Sequence, residues 1–412
     1  MIESIPVVVV GGGQAGLSAS WYLVRDGIEH VVLERETLMH HWRDARWDAF
    51  CLVTPNWQCQ LPGYPYAGKD PDGFMVAEEL NAWLAGFPAS FNPPVREHTE
   101  VTSVRPRDDG RGFDVRHTGG LIIAEQVVVA VGGYHVPSVP SCAQALPAEV
   151  LQVHSSAYKN PTQLPAGKVL VVGTGQSGAQ IAEDLHLAGR SVHLAVGDAP
   201  RCARTYRGRD VVAWLHDMGH YDRPVTEQPP EERGRDRTNH YVTGRDGGRD
   251  LDLRAFAREG MTLHGILTSI GTEFEFADNL AASLDGADAV YNGINEAIDE
   301  WISAQGIQAP PPTVYEPVWQ PTEPARLRVD QVSAVIWATG FRSDFRWLHA
   351  SVFDGAGHPQ HLRGVTAVPG IYFLGLPWLH TWGSGRFASV ARDAEHLSTH
   401  LLAHRRGSLA AL

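Results

Sequence analysis

The stretch Ile5-Pro-Val-Val-Val-Val-Gly-Gly-Gly-Gln-Ala-Gly16 decides the fold. It is a β-branched run followed directly by glycines at 11, 13 and 16, the G-x-G-x-x-G pattern at the end of a strand. Gly11 allows the tight turn, Gly13 lets the backbone approach a pyrophosphate, and Gly16 lets the next helix pack on the strand. Leu17, Ser20, Trp21 and Val24 then recur at helical spacing up to Asp26-Gly27, where glycine serves as the stop. A second apolar run, His30-Val-Val-Leu-Glu34, ends in an acid placed to accept hydrogen bonds from an adenosine ribose. Strand, glycine turn, helix, strand and acid in this order make a dinucleotide-binding unit. Its pyrophosphate sits on the helix N-terminus, where Gln14 and Ala15 begin the first turn.

The unit recurs as Lys168-Val-Leu-Val-Val-Gly-Thr-Gly-Gln-Ser-Gly178, with glycines at 173, 175 and 178 and with Gln176 and Ser177 opening the helix. That helix runs through Ile181, Leu185 and Leu187 to Gly189, and Ser191 to Val196 forms the second strand. Val196 stands where the first copy has Glu34. An acid there would bind a free 2′-hydroxyl and repel a 2′-phosphate, so its absence relaxes the preference for NAD. Arg201, Arg204, Arg207 and Arg209 follow at once. Guanidinium groups grip phosphate bidentately, which points to Arg201 and Arg204 as holders of the 2′-phosphate of NADPH, against the alternative of a solvated basic loop. Asp198 leaves NADH use open.

Three more β-branched runs end in glycine: Val127 to Gly133, Val335-Ile-Trp-Ala-Thr-Gly340, and Ile371 to Gly375. They read as buried strands of a parallel sheet returning to a nucleotide site, which brings Gly133, Ala338, Thr339, Gly340 and Gly375 toward the cofactors. The expected architecture is α/β, with two Rossmann-like dinucleotide-binding domains, the second inserted into the first. Residues 1–160 and 331–412 form the outer domain and 161–330 the insertion, with Lys159 to Pro165 and Pro310 to Pro312 near the connections. Tyr221 to Asp250, rich in charge and glycine, reads as a surface excursion, and Asn279 to Ala304 as an amphipathic helix.

Composition narrows the class. Among 412 residues, 34 Lys and Arg face 47 Asp and Glu, a net charge of −13 that is the wrong sign for nucleic acid. Apolar runs such as Val7 to Val10 fall far short of the roughly 18 residues that span a bilayer, so no membrane association is expected. The start Met1 to Pro6 has an acid and no basic region, which points to the cytoplasm. Cys51, Cys59, Cys142 and Cys202 form neither a CxxC pair nor a metal-ligand spacing, so no metal site is expected.

The two fingerprints, the Ala338-Thr-Gly340 strand end and the segment His154-Ser-Ser-Ala-Tyr158 resemble the flavin-containing monooxygenase family, in its soluble bacterial form. The family's linker pattern is F-x-G-x-x-x-H-x-x-x-Y/F; here Ala148 and Val150 occupy the Phe and Gly positions. The likeness spans essentially the whole chain and extends to His41-Trp42, Pro55-Asn-Trp-Gln58 and Leu61-Pro62. It implies FAD in the outer domain, with Arg35, His41 and Trp42 on its side, and NADPH in the insertion. It further implies insertion of one oxygen atom of O2 into a small-molecule substrate, N- or S-oxygenation foremost, through a flavin C4a-hydroperoxide. Asn56 and Gln58 lie close to where the family supplies an amide beside the flavin, with a plain turn asparagine as the alternative at 56, while His154 and Tyr158 would order the linker.

Baeyer–Villiger oxygenation is the alternative, although such enzymes usually carry Trp where Tyr158 stands. A flavin disulfide reductase would need an adjacent cysteine pair. A non-catalytic nucleotide-binding protein would have no use for two complete sites. A homodimer is compatible with the sequence.

Overall fold

The computed structural model describes residues 2–227 and 240–410, with side chains through 407. Each run that precedes a glycine turn becomes the central strand of a five-stranded parallel sheet. The first sheet has the order Ile371–Phe373, Gln126–Val129, Val7–Val10, His30–Leu33, Val95–Arg96. The second has the order Leu151–His154, Val332–Trp337, Lys168–Val172, Ser191–Ala195, Thr262–His264. Every residue of Val7–Val10 is buried, as a strand covered on both faces requires. A four-stranded sheet of Ile2–Ser4, Gly120–Ala124, Phe113–His117 and Val101–Pro106 accompanies the first sheet.

Strand pairing moves the expected boundaries. The run Val335 to Gly340, expected in the outer domain, lies in the second sheet, where Val171 pairs with Ile336 and Val153 pairs with Ile336 on its other side. Leu151–His154 and Val332–Trp337 therefore both complete the second sheet, and the chain crosses between sheets before Leu151 and after Trp337 rather than at 160 and 330. A short β-branched run states that it will be buried in a parallel sheet; it does not state in which one.

Helices Gln14–Arg25 and Gln176–Leu187 follow the two turns, and the C-terminal helix Val390–Ala410 packs on the first of them. The amphipathic pattern from Asn279 becomes helix Leu280–Gln305, which buries Leu284, Ala287, Tyr291, Ile298 and Ile302. Within the expected excursion, 228–239 lie outside the described residues. Its described flanks keep surface residues, with Asp222, Arg223, Glu227, Asp246, Gly247 and Asp250 exposed, while Tyr221 and Tyr241 are buried and the Tyr221 ring lies 4.5 Å from that of Trp382. These two aromatic side chains anchor an otherwise polar stretch. Among the described residues no helix is long and apolar enough to cross a membrane, and no group of three His, Cys, Asp or Glu could hold a metal.

Candidate active site

The two glycine turns obey the same steric rule. Gly11 has φ +107°, and a Cβ there would sit 2.7 Å from the Ala130 carbonyl oxygen; Gly173 has φ +102° and the same 2.7 Å to that of Ala338. A Cβ on Gly16 would reach 1.9 Å from the Gly11 oxygen, and one on Gly178 2.0 Å from the Gly173 oxygen. Ala338 is thus a structural counterpart of Ala130, closing the second turn.

Gly13 differs, because nothing lies within 4 Å of its Cβ position and its φ of −81° suits any residue. No internal contact requires glycine there. The open space lies at the N-terminus of helix Gln14–Arg25, which has no side-chain cap and no acid in its first turn. Unclaimed N–H groups facing an open cradle fit a pyrophosphate. Gly175 caps the second helix with the same lack of side-chain partner and of acid.

Glu34 closes its strand with Oε2 accepting the Gly12 N–H at 2.6 Å and Oε1 accepting the Glu36 N–H at 2.9 Å. A carboxylate held by one bond per oxygen keeps lone pairs for a ribose hydroxyl. Gln14 donates to the Gly385 carbonyl at 3.0 Å and accepts the Trp42 indole N–H at 2.9 Å, which ties Trp42 and the C-terminal loop to the first turn. Gly375 presses on the same helix start, since its Cβ would lie 2.5 Å from that of Ala15. Gly133 lies near Ser343 and Pro377.

Arg35 and His41 are exposed to solvent, yet enough protein surrounds the His41 imidazole that lost hydration, with the charges of Arg46 and Arg35, pushes it down to about 4. It stays neutral at neutral pH. Arg46 and Arg386 belong to the same region and were not legible in the sequence. The Arg46 guanidinium lies 4.8 Å from the Trp42 ring with its buried Nε lacking a partner, and that of Arg386 lies 3.5 Å from the Trp382 ring. Both feel the exposed Tyr134.

Asn56 and Gln58 lie on one short 3-10 turn, and both are buried. Asn56 spends its amide on the chain itself, donating to the Asp70 carbonyl at 2.9 Å and accepting the Met75 N–H at 2.8 Å. It braces the 70–75 loop, as a turn asparagine does. Gln58 Oε1 is buried with no partner. Of the two, Gln58 retains unspent hydrogen-bonding capacity.

The two arginines expected at the 2′-phosphate are both engaged within the protein. Arg201 is 2% exposed, its Nη1 3.3 Å from Asp252 and its Nε 3.0 Å from Asp288, with the rings of Tyr291 and Tyr315 at 4.5 and 4.0 Å. The Asp288 contact is an ion pair without hydrogen-bond alignment, and Nη2 is buried without a partner. Arg204, likewise 2% exposed, donates to the Val53 carbonyl at 2.7 Å and pairs with Asp210 at 2.6 Å. Arg207 pairs with Asp299 and Arg209 with Asp217. Nearby acids have claimed every guanidinium that sequence spacing offered to phosphate. Gln176 donates to the Val242 carbonyl, and the Gly197 N–H donates to Thr174 Oγ1 at 3.0 Å. Ser177 is half-buried at the helix start, Val196 is buried, and exposed Asp198 accepts from Ser283 Oγ at 3.2 Å.

The linker is pinned at two points. His154 Nε2 lies 3.0 Å from the Gly340 carbonyl oxygen, and the Tyr158 hydroxyl donates to Asp184 at 2.7 Å. Thr339 donates through its hydroxyl to the Ser138 carbonyl. All four cysteines are free, and burial pushes the thiols of Cys51, Cys59 and Cys202 up to about 12.

A family model described as pyridine nucleotide-disulphide oxidoreductase matches residues 8–217. An uncharacterized oxidoreductase, CzcO-like, of Geobacillus kaustophilus is 32% identical over 409 residues, covering 98% of this chain and 100% of that protein. The indole-3-pyruvate monooxygenase YUCCA1 of Oryza sativa subsp. japonica is 33% identical over 198 residues, 46% of this chain and 47% of its own. Among solved structures, the flavin-containing monooxygenase from Stenotrophomonas maltophilia superposes with a TM-score of 0.66 at 21% identity, covering 98% of this chain and 99% of that one.

Proposed function

Since the chain belongs to the pyridine nucleotide-disulphide oxidoreductase family and has the fold of flavin monooxygenases, we propose that it uses FAD and NADPH to transfer one oxygen atom of O2 to a nitrogen or sulfur centre of a small molecule. The observation that carries this reading is the pair of equivalent turns, each with an uncapped helix start, in one chain. One turn serves a bound flavin and the other a reducing dinucleotide. FAD, when bound, supplies the electron transfer between NADPH and O2; the protein supplies the rest.

In this reading the Gly13 cradle and the first helix take the FAD pyrophosphate, and Glu34 takes its ribose. Trp42, fixed by Gln14, walls the flavin side, with Arg35, Arg46 and Arg386 as the cationic lining and the neutral His41 imidazole beside them. The Gly175 turn takes the NADPH pyrophosphate. Gln58, with its buried unpaired Oε1, is the amide assigned to the reacting centre, where exclusion of water lets one hydrogen bond count fully. The first sheet carries FAD and the second NADPH, and Tyr158 and His154 hold the linker between them.

The disulfide-reducing branch of the family is disfavoured by the cysteines. Three thiols held up at about 12 supply no thiolate at neutral pH. The test is NADPH oxidation under ¹⁸O2 with methyl sulfides, tertiary amines and cyclic ketones. Label in a sulfoxide or N-oxide supports the proposal, and label in a lactone alone moves it to Baeyer–Villiger oxygenation. NADPH-dependent disulfide reduction without label in any product overturns it.

A further inference from the structure

Beside the β-hairpin of Gln60–Leu61 and Tyr64–Pro65 the surface opens into a cavity of about 390 Å³, lined by Tyr64, Tyr66, Trp83, Met75 and Glu79 together with small residues. None of its lining residues belongs to either glycine turn. The volume lies in the range of small-molecule sites.

The chemistry of the lining is unusual for a surface hollow. Three aromatic rings and a thioether face a space in which Glu79 is the sole charged lining residue. The rings are braced rather than loose. Tyr64 and Trp83 lie 6.0 Å apart, Tyr64 lies 5.8 Å from Phe87 with the ring planes tilted by 39°, and Trp83 meets Phe387 edge-on at 5.2 Å. The Tyr64 hydroxyl passes over Gly86, where a Cβ would come within 2.0 Å of it, and the Tyr66 ring folds over Gly68, where the distance would be 2.2 Å. Any larger residue at 68 or 86 would displace a wall of the cavity. Met75, at the floor, is 2% exposed and fixed by the Asn56 bond.

Aromatic faces carry negative potential, so a set of them attracts a cation whose charge is spread over methyl groups too large to hydrogen-bond. A carboxylate at the same cavity adds a counter-charge, and a thioether adds polarizable contact. A neutral hydrocarbon gains nothing from Glu79, and an inorganic cation gains little from rings. We propose that this cavity is a binding site for a quaternary ammonium group, held by Tyr64, Tyr66 and Trp83 and neutralised by Glu79. Such a group has no lone pair to accept oxygen, so its binding goes beyond the proposed oxygenation.

Glu79 also accepts the Val76 N–H at 3.3 Å, at the start of helix Ala77–Phe91. Glutamine performs that duty equally well, so Glu79→Gln removes charge while keeping the cap. The experiment is calorimetric titration of the flavin-loaded protein with choline and with 3,3-dimethylbutan-1-ol, its uncharged isostere. Choline binding one to one, at least about tenfold tighter than the isostere, is the expected result. Glu79→Gln should bring choline down to the isostere's level, and Tyr66→Leu should weaken choline binding as well. Equal binding of the two probes, no binding of choline, or a Glu79→Gln protein with the wild-type melting temperature and unchanged choline affinity overturns the proposal.

Discussion

The Arg204 guanidinium of the second nucleotide-binding region donates to the Val53 carbonyl at 2.7 Å, three residues before Asn56. It also pairs with Asp210 at 2.6 Å and lies 4.6 Å from the Phe74 ring. An arginine that spacing offered to a cofactor phosphate instead joins the two halves of the molecule.

Arg204→Met should therefore cost stability rather than cofactor choice. Removing one partner leaves the Asp210 carboxylate and the Val53 carbonyl without it, a loss on the order of 3 kcal/mol. The Michaelis constants for NADPH and NADH should shift by the same factor. Thermal denaturation and steady-state kinetics with both dinucleotides check this; a rise of about tenfold confined to NADPH would return the phosphate to Arg204.

Substitutions at the first turn should separate folding from cofactor retention. Gly16→Ala puts a methyl 1.9 Å from the Gly11 oxygen, so this protein should fail to fold. Gly13→Val meets open space in the fold but fills the cradle. It should purify folded and colourless, judged by circular dichroism and flavin absorbance. A yellow Gly13→Val protein would remove the pyrophosphate from this turn.

The Asn56 and Gln58 amides should respond in opposite ways. Asn56→Leu breaks two bonds of the 70–75 loop and leaves the Met75 N–H unmet, costing about 1 to 3 kcal/mol. Gln58→Leu removes an acceptor that has no partner, so stability should hold or rise while hydrogen peroxide formed per NADPH increases. Peroxide yield and melting temperature measured on both variants decide the matter. Full coupling in Gln58→Leu would exclude this amide from the reacting centre.

His193 Nδ1 and His264 Nε2 lie 2.9 Å apart within the second sheet, and burial pushes each down to about 4 from an ordinary value of 6.5. A depressed histidine contributes no instability above its ordinary value, where both states are neutral. Below 6.5 the unfolded chain takes up protons that the folded protein refuses until about 4, so stability falls across that window. His264→Gln should flatten the fall in melting temperature between those limits. An unchanged slope would place the acid sensitivity elsewhere.

The sequence by itself determined two Rossmann-type units, because a glycine turn between a β-branched run and an amphipathic helix is a local arrangement whose constraints are all steric. The clashes at Gly11, Gly16, Gly173 and Gly178 involve neighbouring turns and strands that the pattern already implies. The same pattern marked Gly13, where the fold leaves open space around the Cβ position. Tertiary structure alone decided which sheet received Leu151–His154 and Val332–Trp337, because a short buried run names no partner. It alone decided that Asp252, Asp288 and Asp210 would pair with Arg201 and Arg204. It alone decided that Asn56 would brace a loop while Gln58 kept an unpaired oxygen. A charge or an amide in a sequence has capacity but no address, and the capacity goes to whichever partner the folded chain brings within about 3 Å.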